Sequence, residues 1–208
     1  MNILDIHTHQ QHYPNDEKIY NLRITTKEPN MVSSVFYSAG IHPWDSEEKY
    51  SLELLKKLSK HKQVLAIGEI GIDARNKNIK EQQALFYKQV EIANSASKPV
   101  IIHMVKSTDF IMEAIKKVPR ETPWIIHGFR GSKELAQQYL NHNINLSYGF
   151  KHNQQALLST PHDKLFFETD EYQQDIHILY QEAAKLLKCS TSQLINQVKQ
   201  NIHKLFFS

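Results

Sequence analysis

A single cysteine, Cys189, excludes any intrachain disulfide and gives no reason to place the chain in an oxidising compartment. It follows a helical pattern and reads as a small buried or half-buried residue. No apolar run approaches the about 18 residues needed to span a bilayer. Met1-Asn2-Ile3-Leu4-Asp5 lacks the charged stretch and apolar core of a secretory leader. Strong charge is missing too. A formal net charge of +3 could help attract a polyanion, but it is far from the dense basic stripe of a dedicated nucleic-acid binder. Internal repeats, low-complexity tracts and linkers are absent. What remains is ordinary globular composition, 40% hydrophobic and 23% charged, over 208 residues. That length suits one domain, 1–208, with a substantial core. We expect a cytoplasmic chain without a membrane segment, monomeric in the first instance.

Short apolar runs recur along the chain, over 3–6, 19–24, 34–39, 64–67, 100–102, 124–126, 144–148 and 165–167. Near-continuous Val, Ile, Leu and Phe runs of this length are the pattern of strands buried on both faces. Helical periodicity predicts helices over 47–60, 80–95, 108–117, 132–141, 173–187 and 192–206. Strand alternating with helix argues for parallel βα units. Eight strands favour an α/β fold of the TIM-like (β/α)8 barrel type, with an open doubly wound sheet as the alternative. The early chain is thin. Only 10–18 and 26–33 separate the first three strands, and neither carries an amphipathic pattern. A parallel crossover normally takes a dozen or more residues, so one or two early outer helices are expected to be missing or shortened.

Histidine is abundant, with twelve, and several sit where strands end. His7-Thr8-His9 follows the first run, Glu69 follows 64–68 between Gly68 and Gly71, His103 caps 100–102, His127 caps 124–126, and Asp170 ends 165–169. Alternate strand residues point the same way, so His7 and His9 can face one side together. Taken singly, each has a plain structural reading: a hydrogen-bonded core histidine, a buried ion-pair partner at Glu69, a helix cap at Asp170. Gathered at one end of a barrel, they are costly to bury unless something satisfies them all. Imidazole and carboxylate together suit divalent transition metals.

These residues, in order, resemble the TatD-like metal-dependent hydrolases of the amidohydrolase superfamily. The matching stretches are Asp5-Ile6-His7-Thr8-His9, Gly40-Ile41-His42-Pro43-Trp44, Ile67-Gly68-Glu69-Ile70-Gly71-Ile72-Asp73, Pro99-Val100-Ile101-Ile102-His103, Ile126-His127-Gly128-Phe129 and Glu168-Thr169-Asp170, closed by Gln200-Asn201-Ile202-His203-Lys204-Leu205-Phe206. The resemblance implies two divalent ions (zinc, manganese or magnesium). His7, His9 and Asp170 would serve one, His103 and His127 the other, with Glu69 bridging. It also implies hydrolysis by an activated water. Many such proteins cleave DNA, while others deacylate misacylated tRNA or break other bonds. The chain departs from the pattern in two places. The segment between His9 and Gly40 is short, and after Asp170 the sequence Glu171-Tyr172-Gln173-Gln174-Asp175 replaces a longer substrate-facing loop.

The leading expectation is therefore a TatD-like nuclease or phosphodiesterase with Asp170 as general base and DNA or another phosphate ester as substrate. Hydrolysis of an ester or amide, and a non-catalytic metal-binding scaffold, are the alternatives. His42 is a candidate substrate-orienting donor. Lys106 and Arg130 are candidate phosphate contacts, Arg130 through a bidentate fork; Arg75 is a lesser one. The other histidines, His12, His61, His142, His152, His162, His177 and His203, read as solvated or structural.

Overall fold

The computed structural model describes residues 2–10, 16–46 and 50–207. All eight expected strands form: β1 (Asp5–Thr8), β2 (Lys18–Arg23), β3 (Phe36–Gly40), β4 (Val64–Asp73), β5 (Val100–Val105), β6 (Trp124–Ile126), β7 (Asn145–Tyr148) and β8 (Leu165–Phe167). They make one sheet in chain order, β1 through β8, which is the strand order of a TIM-like (β/α)8 barrel. The described registers of β1 with β2, β3 with β4, β4 with β5 and β7 with β8 are all parallel. Beyond β8, Thr8 bridges Asp170, so the chain end of the sheet returns to β1. No helix among the described residues is long and apolar enough to cross a membrane.

By internal packing the chain divides into two compact units, Met1–Tyr20 with Ile126–Ser208, and Asn21–Ile125. In the first, Ile6, Leu146 and Phe167 of the sheet are buried, as are Leu179 and Tyr180 of α6 (Ile176–Leu187) and Val198 and Ile202 of α7 (Thr191–Phe206). The Phe167 and Tyr180 rings lie 4.8 Å apart, and the Tyr180 hydroxyl donates to the Leu4 carbonyl at 2.9 Å. In the second, α2 (Ile79–Ser95) lays Leu85, Phe86 and Val90 on β4. Phe86 meets Phe110 of α3 (Thr108–Lys117) and Trp124 edge to face, at 5.6 and 5.7 Å. Each large side chain buried this way stabilises the fold by roughly 1.5–3 kcal/mol.

Helix limits follow capping side chains that periodicity alone does not locate. Ser51 caps α1 (Leu52–Leu58), accepting from the Leu54 N–H at 3.0 Å; the start expected at Glu47 lies outside the described residues. Ser132 caps α4 (Lys133–Asn141) and Asp175 caps α6. The last helix starts at Thr191 rather than Ser192, because Ser190 and Gln193 form a reciprocal capping box. The sequence reading missed α5 (Gln154–Ser159) altogether. It is under two turns long and buries only Ala156 and Leu157, but Asn153 caps it, accepting from Ala156 at 3.1 Å. Between β2 and β3, and among the described residues between β1 and β2, there is no helix, as the thin early chain implied. The short 9–17 connection nonetheless joins parallel strands.

The largest difference concerns β4. It was expected to end at Ile67 and instead runs to Asp73 with every residue buried. Its register against β5 shifts between Ile67 and Ile70, as an inserted residue in a ladder does. Glycine makes this possible. A Cβ at Gly68 would stand 2.6 Å from the Ile101 Cβ, and one at Gly71 (φ +152°) would stand 2.0 Å from the His103 carbonyl oxygen. Glu69 and His103 are thus held inside strands, with less freedom than loop residues have.

α7 is tied to the sheet by a side chain. Asn201 donates through Nδ2 to the carbonyls of His162 (2.6 Å) and Leu165 (3.0 Å) and accepts from Gln197 (2.9 Å). Replacing Asn201 with Ala removes the donor to the buried Leu165 carbonyl and to the part-buried His162 carbonyl and should lower stability by about 1–3 kcal/mol. Urea unfolding checks this, and a midpoint equal to wild type would show that the tie is redundant.

Candidate metal centre

In the first unit, β1 with the residue after it, the segment after β6 and the segment after β8 bring His7, His9, His127 and Asp170 together. Asp170 adopts φ +54°, a conformation uncommon outside glycine but tolerated by Asp. Backbone bonds to β1 hold it there: its N–H donates to the His7 carbonyl, and its carbonyl accepts from the His9 N–H, both at 3.0 Å. The Asp170 Oδ1 atom lies 3.8 Å from His7 Nε2 and 3.6 Å from His9 Nε2. The His7 ring is 4.4 Å from the His127 ring and 5.0 Å from the His9 ring. One ligand atom each from His7, His127 and Asp170 fit within 4.8 Å of one another. His7 and His127 are buried, whereas His9 is exposed.

Behind these residues stand two carboxylates that the sequence reading did not single out. Glu168, fully buried, meets His127 Nδ1 through Oε1 at 3.0 Å. A carboxylate on one ring nitrogen fixes the tautomer and leaves the other as the donor atom for a metal. Burial pushes Glu168 up, but the His127 and His7 imidazoles and the Ser147 hydroxyl outweigh it and hold the carboxyl below its ordinary value. Asp5, also fully buried, accepts from the Thr169 N–H (3.1 Å), the Thr169 hydroxyl (2.7 Å) and the His7 N–H (3.3 Å). It therefore locks β1 to the segment carrying Asp170. Burial raises its carboxyl to about 7 despite the Thr169 donors.

In the second unit, His42, Glu69 and His103 form a corresponding group, again with ligand atoms within 4.8 Å. The Glu69 N–H donates at 2.9 Å to Asn21 Oδ1, which also accepts from Ser38 at 3.2 Å, so the backbone of Glu69 is fixed from the neighbouring strands. His103 Nδ1 meets Glu69 Oε1, and its Nε2 lies 3.5 Å from Asp73 Oδ2. Two acceptor atoms such as Nδ1 and a carboxylate oxygen share a point only with a proton or a cation between them. His42 Nδ1 accepts from the Trp44 N–H at 3.2 Å, so in the neutral ring Nε2 carries the proton; it lies 3.5 Å from Glu69. Burial keeps this imidazole below its usual value, with Glu69 pulling the other way. His42 is accordingly a donor beside Glu69 rather than a spare lone pair.

Asp73 is the second unit's counterpart of Glu168. Burial would push its carboxyl up. The Arg75 guanidinium and the Trp44 indole N–H (2.8 Å) outweigh that and hold it well below the carboxylate range. Arg75, weighed from sequence as a phosphate contact, is engaged with Asp73. Lys106 and Arg130 are exposed, three residues past His103 and His127. His12 lies outside the described residues; the other histidines read as structural are exposed or half-buried and belong to neither group. Asp5, Glu168 and Asp73 could have been suspected from their places in Asp-x-His, Glu-Thr-Asp and Gly-Ile-Asp, each an acid beside a proposed ligand in an otherwise apolar run. Both donor sets, imidazole with carboxylate and each backed by a further buried acid, fit a divalent ion.

Comparison with known proteins agrees with this chemistry. The family model "TatD related DNase" matches residues 15–207. An uncharacterized metal-dependent hydrolase of Bacillus subtilis, YabD, is 32% identical over 148 residues, covering 65% of this chain and 58% of that protein. The human 3'-5' RNA nuclease TATDN2 is 29% identical over 155 residues, covering 65% of this chain and 20% of that protein. The chain thus spans less than two thirds of the length of these relatives. Among solved structures, the TatD homologue YjjV of Escherichia coli superposes with a TM-score of 0.84 at 19% identity, covering 100% of this chain and 98% of that one. A TatD-family hydrolase of Entamoeba histolytica gives 0.80 at 15%, with the same coverage. These two establish the fold.

The Glu168 contact generates a measurable expectation. Glu168→Gln keeps the volume but removes the charge on His127, and should weaken divalent-cation binding about 10- to 100-fold. Calorimetric titration with manganese or zinc reads it, and an unchanged affinity would show that His127 needs no carboxylate behind it.

Proposed function

The chain belongs to the TatD-related DNase family, and on that premise we propose that it is a metal-dependent hydrolase of nucleic-acid phosphodiester bonds, with DNA as the first substrate to test. The observation that carries this reading is the Asp170 carboxylate, held by backbone bonds to β1 with Oδ1 between the His7 and His9 imidazoles. An acid so fixed can bind a cation and take a proton without reorganising.

In this reading His7, His9 and Asp170 would hold one divalent ion, joined by His127, which lies against His7 and so is grouped here rather than with His103 as the resemblance implies; Glu69 and His103 would hold the other. Divalent ions held there, zinc, manganese or magnesium, would supply Lewis acidity toward a phosphoryl oxygen and lower the pKa of a water. Asp170 accepts the proton of the attacking water and returns it to the leaving oxygen. Glu168 and Asp73 hold the His127 and His103 rings in orientation. His42, with its proton on Nε2, donates to the substrate or to Glu69 and sets the position of the scissile group. Lys106 and Arg130, both exposed, would meet flanking phosphates; their exposure three residues past His103 and His127 supports this. The name of the human relative makes RNA a second nucleic acid to try.

One observation favours a second reading, ester or amide hydrolysis. Residues 171–175 are all that separate Asp170 from α6, which leaves little chain there to grip a long polyanion.

The two readings part in a substrate panel: single-stranded DNA and RNA beside simple esters and amides, each with manganese, magnesium or zinc. We expect nucleic-acid degradation that a chelator abolishes. Asp170→Asn should reduce kcat by about 10²–10⁴-fold with an unchanged circular dichroism spectrum. Near-normal turnover in that variant would remove Asp170 as the base, and cleavage of esters alone would favour the second reading.

A further inference from the structure

Trp44 is large, aromatic and exposed, yet it is not loose. The residue is 44% exposed; the other exposed large apolar residues among those described, Val32, Leu158 and Ile178, are all aliphatic. The indole N–H donates to Asp73 at 2.8 Å, and the backbone N–H donates to His42 at 3.2 Å. The ring meets His42 edge to face at 4.6 Å and lies 6.4 Å from His103. Its anchor is itself anchored, because Arg75 grips Asp73. The Arg23 guanidinium lies 5.9 Å from the indole centroid and is tied in turn to Asp45. An indole is thus clamped along its N–H edge beside the Glu69–His103 group, with much of its surface left to solvent.

Exposed apolar area of this size, immobilised, has a use when something flat covers it on binding. The local charge says what kind of group that is. Arg23 is paired with Asp45 and Arg75 with Asp73, so the surroundings of the ring are balanced rather than cationic. A phosphate alone gains little there. A neutral aromatic ring gains most, because every nucleobase presents a π-face that stacks on indole regardless of its identity. A base inside a duplex has both faces already occupied, so stacking favours a base that is unpaired.

We propose that Trp44 is a stacking platform for an unpaired nucleobase of the substrate, next to the Glu69–His103 group. This rests on the nucleic-acid reading above and adds to it the part of the nucleotide that is recognised. Trp44 would contact the base and not the bond that breaks, so its loss should raise KM more than it lowers kcat.

Mononucleotides test the idea without turnover by a phosphodiesterase. The metal-loaded wild-type protein should bind deoxyadenosine monophosphate about 10- to 100-fold tighter than its abasic analogue, 1,2-dideoxyribose 5-phosphate. The nucleotide should also quench tryptophan emission, and this change belongs to Trp44 because Trp124 is fully buried. In Trp44→Leu the two probes should bind alike. Trp44→Phe, which keeps a ring but lacks the N–H to Asp73, should retain most of the preference. Equal binding of both probes by wild type overturns the proposal. So does a Phe variant as impaired as the Leu variant, since the Asp73 bond would then be what matters. Nuclease activity with no base preference sinks the platform alone, whereas base preference without any nuclease activity sinks the hydrolytic reading and leaves the platform standing.

Discussion

Buried carboxylates against imidazoles are the constraint on which the rest of this molecule depends. Asp5, Glu168 and Asp73 are fully buried and Glu69 nearly so, within β1 and β4 or directly after β8. An isolated carboxylate in such a place would be expelled or protonated. Here each is matched. Asp5 takes three donors from Thr169 and His7, Glu168 takes His127, Asp73 takes Arg75 and Trp44, and Glu69 sits with His103 and His42. The matching recurs in both compact units as a two-tier arrangement, one acid among the rings (Asp170, Glu69) and further acids behind them (Glu168 and Asp5 in the first unit, Asp73 in the second). Acids behind the rings govern orientation, and those among the rings are available to a cation. This division explains why so many polar side chains are tolerated at strand ends, where an apolar residue would be cheaper to fold.

Glycine is the second constraint and serves the first. Without Gly68 and Gly71, β5 could not approach β4 closely enough to place His103 beside Glu69. The register shift between Ile67 and Ile70 re-aims the chain at the position where Glu69 has to face its partners.

Much of this was legible in the chain. Continuous Val, Ile and Leu runs such as Val100-Ile101-Ile102 announce strands buried on both faces, but β5 continues to Val105, so His103, expected to cap the run, lies within the strand. The extent of β4 was not legible. Glu69 interrupts the apolar run and two glycines read as punctuation, so a strand of ten residues looked like one of four. The helix α5 was hidden for a different reason: Gln154–Ser159 buries only two small or medium side chains, too few to create a period. The acids behind the rings escaped notice because nothing local distinguishes a carboxylate that binds a metal from one that orients the ligand. Glu168 and Asp170 differ by two residues, and only the fold shows that the first meets His127 Nδ1 while the second faces His7 and His9.

The central claim is that these two groups of imidazoles and carboxylates receive divalent ions. Diffraction from crystals grown with manganese or zinc, recorded at the absorption edge of the metal, addresses it without reference to any substrate. The account predicts anomalous peaks about 2.0–2.3 Å from side-chain atoms of His7, His127 and Asp170 and from those of Glu69 and His103. Well-ordered crystals of metal-saturated protein with no peak at either group, or with peaks only at surface histidines such as His61 or His162, would contradict it.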